Sequence, residues 1–343
     1  LNKKINNILI ISVHPVLEFD EIKIFESLGY NVFSCGFYLD RNSDNELRPR
    51  LQGSAWHAKC LQDFGHFGCS RDSEKGWLIT EEFIAHFDLI VVHHDYQFLQ
   101  NNWSQIQDKR VIWRSIGQGI HWTENAMKDF RDQGVSIVRW SPVESQIADY
   151  IGGDTVIRAA KDCTEWSNWN GKIKRIITFN NNFYDRGDQL NFGFHQLCVD
   201  SQPFDLYGVG NDGIPNWRGV LKYEEQLQAL RDYRAVFMTG SRPAPYTLSF
   251  IEAWMTGTPV IHVGRDKFCG AAAGEFEIDD FIVNGVNGFL VETVKEAKEV
   301  FQLILNDDHL AMSISINGRR DAISLFDFQV AKSSWKAFLE NFS

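Results

Sequence analysis

Residues 240–260 read Gly-Ser-Arg-Pro-Ala-Pro-Tyr-Thr-Leu-Ser-Phe-Ile-Glu-Ala-Trp-Met-Thr-Gly-Thr-Pro-Val, and this stretch carries the most legible chemistry in the chain. A short apolar run, Ala235–Thr239, leads into a loop stiffened by Pro243 and Pro245. A helix is expected from near Thr247, with Thr247 as its N-cap and Gly257 as its stop. The free N–H groups at such a helix start point out at the carboxyl edge of a sheet, where they make an anion site suited to a phosphate. Glu252 stands inside the otherwise apolar helix, between Ile251 and Ala253-Trp254-Met255. A carboxylate there needs a partner. The vicinal hydroxyls of a ribose suit a bidentate acceptor, and a neighbouring arginine is the structural alternative.

Other polar groups stand where strands should end. His93-His94-Asp95 closes the run Leu89–Val92, and His14 follows the run Ile8–Val13. Either place could bind the hydroxyls of a ligand or merely cap a loop. His57, Cys60, His66 and Cys69 have a spacing able to close a tetrahedral zinc site. Phe64 and Phe67 between them favour a small packed loop instead, and no metal is expected. Gly208 and Gly210 lack the third glycine and the helix start of a dinucleotide fingerprint.

The elements that must position these groups follow from a repeated pattern of apolar β-branched run, turn and helical stretch. In the first half the runs are Ile8–Val13, Val32–Phe37, Leu89–His93, Val111–Ser115 and Val135–Trp140. In the second they are Ile176–Phe179, Phe204–Val209, Ala235–Thr239 and Pro259–Val263. Runs without alternation are those of parallel strands buried on both faces, and two such series predict two doubly wound α/β domains. A polar stretch from Gly152-Gly153 to Trp169-Asn170-Gly171 divides them. This predicts a domain over 1–154, a hinge over 155–172 and a second domain over 173–326, with ligands in a cleft at the carboxyl ends of the strands. The segment 41–76 breaks the alternation and reads as a long excursion over the cleft-side loops. A last helix, Phe328–Asn341, puts Val330, Trp335, Phe338 and Leu339 near one face.

Lys+Arg is 34 against Asp+Glu 45, a net charge of −11 with no basic cluster, which argues against nucleic acid and anionic lipid as partners. The 26 Phe, 11 Trp and 9 Tyr suggest ring-lined clefts as well as large cores. Six scattered cysteines without a Cys-x-x-Cys pair read as reduced thiols. The apolar run Ile8–Ile11 is too short for a secretory or membrane segment, so a soluble cytoplasmic protein is expected, with membrane contact at most peripheral.

Residues 240–260 resemble the nucleotide-binding signature of the retaining GT-B glycosyltransferases, chiefly glycosyltransferase family 4, written Ser-x-x-Glu-x-Phe/Tyr-Gly-Leu-x-x-x-Glu-Ala-x-x-x-Gly-x-Pro-Val. The likeness extends over the second half. Asp205-Leu206-Tyr207-Gly208-Val209-Gly210 is similar to the family's strand and Gly turn, and Gly219 with Tyr223-Glu224-Glu225 to its Gly-plus-helix segment. Asn284-Gly285-Val286-Asn287-Gly288-Phe289-Leu290-Val291 resembles the turn preceding Asn-Gly-Phe-Leu-Val. The ending from Phe326 to Phe338 resembles a closing helix that crosses back onto the first domain. The first half is similar only in strand order.

The resemblance implies a GT-B fold and a hexosyltransferase-like enzyme. It would move a sugar from a nucleotide-diphosphate sugar to a carbohydrate or other hydroxyl acceptor, with retention and without metal or other cofactor. Glu252 would hold the ribose, and Tyr246, Thr247 and Leu248 would set N–H groups on the diphosphate. Arg186 would neutralise that diphosphate, and His121 would lie near the transferred sugar. Asn181 and Gly208 belong to the donor-side turns. The acceptor would meet the first domain, with His14, His93 and His94 as candidates. Three positions depart from the family. Ala244 replaces the first signature Glu, eight residues before Glu252. Asn180-Asn181-Asn182 replaces an arginine, for which Arg242 could compensate, and Ser12-Val13-His14-Pro15 replaces a Gly-Gly loop. A catalytically silent nucleotide-sugar-binding subunit and a nucleotide-sugar epimerase are the alternatives.

Overall fold

The computed structural model describes residues 4–38, 48–49, 51, 53–269 and 275–342. It divides into two compact units, one of Leu1–Arg158 with Ala331–Ser343 and one of Ala159–Val330.

In the first unit the apolar runs form a parallel sheet. Its strands are β1 (Asn7–Ser12), β2 (Asn31–Ser34), β5 (Leu89–His93), β6 (Arg110–Arg114), β7 (Ser136–Arg139) and the short β8 (Thr155–Val156), in the order β2-β1-β5-β6-β7-β8. Ile10 pairs with Ser34 on one side and Val91 on the other, and both faces of β1 and β5 are buried. The expected run Val32–Phe37 stops early as a strand, because the chain turns helical from Cys35.

The segment 41–76 differs from the expected excursion. Residues 41–47, 50 and 52 lie outside the described part, but Ala55–His66 is a helix capped by Ser54. It is followed by a hairpin of β3 (Ser70–Asp72) and β4 (Gly76–Leu78). Cys60, Phe64 and Trp77 join the core, where the Phe64 ring stands edge-on to Trp77 at 6.0 Å and to Phe83 at 5.3 Å. Aromatic side chains at helical spacing were the signal that the polarity of the segment concealed.

The second unit has a five-stranded parallel sheet of β9 (Ile173–Phe179), β10 (Phe204–Tyr207), β11 (Tyr233–Met238), β12 (Val260–Val263) and β13 (Phe289–Val291), ordered β10-β9-β11-β12-β13. The order reverses between β9 and β11, the place where open α/β sheets leave a crevice for ligands beyond their carboxyl ends. Residues 159–171, most of the hinge expected over 155–172, are fixed on this unit. Arg319 donates to the carbonyls of Cys163 at 2.6 Å and Trp166 at 2.5 Å, while Arg231 donates to those of Ser167 and Glu165. The chain therefore passes between units after Arg158.

The long helix Asp308–Phe326 is followed by Phe328–Glu340, whose residues from Ala331 onward group with the first unit. Trp335 is fully buried there, 4.9 Å from the Phe25 ring. Val330, expected near one face with Trp335, is 41% exposed and still belongs to the second unit. Among the described residues no helix is long and apolar enough to cross a membrane.

Candidate functional site

In the second unit, the turns after β9, β10 and β11 build the carboxyl edge. Gly208, at φ +137°, lets two turns touch: a Cβ there would lie 1.9 Å from the Asn180 carbonyl oxygen. Only glycine fits so close an approach. The turns are tied by the Asn181 Oδ1, which accepts from the Val209 N–H at 2.9 Å, and by Asn211, which donates to the Asn180 carbonyl at 2.6 Å and accepts from the Phe183 N–H. Tyr184 and Val209 project from the same turns, 68% and 53% exposed.

Arg186 follows the first of these turns. Its Nη2 donates to the Ser241 Oγ at 2.9 Å, across the point where the strand order reverses. Among the described residues no carboxylate faces it, and burial alone pushes the guanidinium below its ordinary range. A partly desolvated cation without a counter-ion is a site prepared for an anion.

Thr247 is the N-cap of the helix Leu248–Thr256, as the sequence predicts. Its Oγ1 accepts from the Phe250 N–H at 3.2 Å and pairs with the Ser249 Oγ at 2.9 Å. The N–H groups of Leu248 and Ser249, at the first two positions, have no partner within the helix. Tyr246 is only 2% exposed, with its ring against Phe281 and Phe326, so its side chain belongs to the core. Ala244 is buried in the loop, where its N–H donates to the Ser241 carbonyl at 2.7 Å.

Arg242 is committed elsewhere. Its guanidinium donates to the carbonyls of Phe268 at 2.5 Å and Asp188 at 3.2 Å, and to the Asn191 Oδ1 at 2.7 Å, so it staples the loop rather than standing open to a ligand. Glu252 is 3% exposed and carries a lysine partner: Lys161 Nζ lies 2.9 Å from its Oε1, and Gln226 Nε2 donates to its Oε2 at 3.2 Å. Neither partner stands in the signature. Lys161 comes from a stretch that reads as a linker, and Gln226 from a helix one turn after Tyr223.

In the first unit the carboxyl ends of the strands carry buried charge. Arg114 closes β6 and bonds Glu21 at 2.9 Å, while Arg139 closes β7 and grips Glu124 through two bonds of 2.7 and 2.8 Å. Burial raises the Glu21 carboxyl, but Arg114 and His93 outweigh it and hold it below the usual range. His93 is wholly buried, with Nε2 3.0 Å from Glu21 and Nδ1 3.0 Å from the Ser12 Oγ. It is a member of this layer and presents no surface to an acceptor. His14 caps the helix Pro15–Ser27, its Nδ1 accepting from the Leu17 N–H. His94 has a left-handed φ of +55°, packs on Trp113, and burial pushes its pKa down to about 4. His121 is exposed at the start of the helix His121–Asp132, beside Trp122, which is 46% exposed and edge-on to Tyr96.

His57, Cys60, His66 and Cys69 do not converge. His57 is bonded to Ser54 and to the Val32 carbonyl, burial pushes the Cys60 thiol up to about 12, and Cys69 meets Thr80. Among the described residues no group of three or more ligand-type side chains could hold a metal ion.

No protein-family model matches the chain. No curated protein matches it either. Solved structures do match along its whole length. Anabaena Alr3699/HepE in complex with UDP-glucose is 13% identical, with a TM-score of 0.66 over 97% of this chain and 99% of that one. A glycosyltransferase from Rickettsia africae ESF-5 is 13% identical at a TM-score of 0.62, over 99% of each chain. The N-terminal domain of Candida albicans trehalose-6-phosphate phosphatase is 12% identical at 0.56, over 100% and 98%. The two Rossmann-like units and the returning C-terminal helix are those of the GT-B fold.

Proposed function

We propose that this chain is a glycosyltransferase that takes a sugar from a nucleotide-diphosphate sugar held by the second unit and passes it to a carbohydrate or other hydroxyl acceptor held by the first. The observation that carries the reading is the unneutralised Arg186 across the β9–β11 switch point from Ser241, in the unit whose helix start offers the N–H groups of Leu248 and Ser249. In this reading the bond between the sugar's anomeric carbon and the diphosphate oxygen breaks as the acceptor oxygen bonds to the same face. The departing phosphate takes the acceptor's proton. Arg186 and the fixed N–H groups stabilise the charge developing on the leaving diphosphate, with no metal needed. Glu252 holds the ribose, and Thr247 and Leu248 contact the diphosphate. Asn181 and Gly208 shape the donor turns, while His121, His94 and His14 stand on the acceptor side. Since Alr3699/HepE was solved with UDP-glucose, that donor is the first to test.

Ala244 favours a second reading, a subunit that binds nucleotide sugars without turning them over, since no carboxylate stands where the signature has its first Glu. A thermal-shift panel of UDP, GDP, ADP, CMP and their sugars separates the outcomes. A ligand at a thousandfold excess over its Kd should stabilise the protein by about 4 kcal/mol. Binding with donor turnover supports the transferase, binding without turnover across an acceptor panel supports the silent subunit, and the absence of any shift overturns both.

A further inference from the structure

Glu252 carries its own counter-ion, and that counter-ion is held with care. The Lys161 and Glu252 side chains are 1% and 4% exposed, with Nζ 2.9 Å from Oε1 and 5.7 Å from the Trp166 ring. Gln226 donates to the other carboxylate oxygen. The Lys161 backbone is clamped as well: its N–H donates to the Phe326 carbonyl at 2.9 Å, and its carbonyl accepts from the Phe328 N–H at 2.9 Å. The ammonium is thus delivered from a fixed strut. Burying such a pair costs desolvation that its attraction barely repays, and well-packed apolar side chains generally do as well for stability.

We infer that Lys161 is a positioning residue for nucleotide binding. It holds the Glu252 carboxylate in one rotamer, so that it accepts from the vicinal hydroxyls of a ribose, with Gln226 as the third member of the set. The inference rests on the proposed role of Glu252 as the ribose ligand and deepens it. Lys161 sets the preference for ribonucleoside over 2′-deoxyribonucleoside diphosphates.

The test measures Kd for UDP against 2′-deoxy-UDP, with the ADP and GDP pairs in parallel, on wild type, Lys161→Arg, Lys161→Gln, Lys161→Met and Glu252→Gln. Wild type should prefer the ribonucleotide by about tenfold or more, the effect of hydrogen bonds to a charged group. Lys161→Arg should keep most of the preference, while Lys161→Gln and Lys161→Met should abolish it as Glu252→Gln does. Melting curves identify any variant that fails to fold. A readout without mutation stands behind them: amide exchange at Lys161 and Phe328 in wild type should slow more with UDP than with 2′-deoxy-UDP. Wild type that binds no nucleoside diphosphate overturns the donor reading, and with it this one. Wild type that binds both sugars equally overturns the role of Glu252. A preference that survives in Lys161→Met and Lys161→Gln, or equal exchange protection by both ligands, overturns the role of Lys161 alone.

Discussion

An arginine beside a serine hydroxyl, partly withdrawn from water and facing no carboxylate, costs the free protein some desolvation that only an anion returns. Arg186 stands so, whereas Arg242, next to Ser241 in the loop, spends its donors on the main-chain carbonyls of Phe268 and Asp188 and on the Asn191 side chain. The two cations therefore have different consequences. Arg186→Gln should weaken nucleoside diphosphate binding by about 10- to 100-fold, the weight of one charge-assisted hydrogen-bonded contact, while leaving the melting temperature near wild type. Calorimetric titration with UDP measures it. An unchanged Kd would remove Arg186 from the site. Both arginines were singled out by the family resemblance; which of them keeps its guanidinium available depends on the positions of Phe268, Asp188 and Asn191, which no local pattern encodes.

Strand ends decide what each sheet can do. In the second unit the carboxyl ends of β9, β10 and β11 open into turns of asparagine, glycine and serine. In the first unit β5, β6 and β7 end in His93, Arg114 and Arg139, and helices supply Glu21, Glu124 and Glu144 to meet them. Arg114 also lies 5.8 Å from the Trp335 ring, so the charged layer and the returning helix are packed on one another within that unit. Removing one partner of such a pair strands a charge. Arg114→Met should destabilise the protein by about 3–5 kcal/mol, and adding Glu21→Gln should recover most of it. Urea unfolding compares the two; a single variant that loses less than about 1 kcal/mol would show Glu21 to be solvated after all.

At the scale of the whole molecule, the net charge of −11 coexists with deeply neutral histidines. Burial pushes His94 and His262 down to about 4 and His195 to about 3. A folded-state pKa below the unfolded value of about 6.5 means that the unfolded chain binds more protons between the two. Their contribution to stability is therefore complete above about pH 6.5 and is lost as pH falls toward 4. NMR should find these three imidazoles unshifted from pH 8 to about 5, and a midpoint near 6.5 for any of them would contradict its burial. By itself the sequence determined the two parallel sheets, the capped helix at Thr247 and the lone Glu252, because β-branched runs, a Thr cap and a carboxylate among apolar residues each act within a few positions. The tertiary structure alone decided that Lys161 meets Glu252, that Arg242 is spent on carbonyls, and that 159–171 lies fixed on the second unit. Those outcomes join residues tens of positions apart, where burial selects partners by geometry, and a pairwise contact at that distance leaves no periodic trace in the chain.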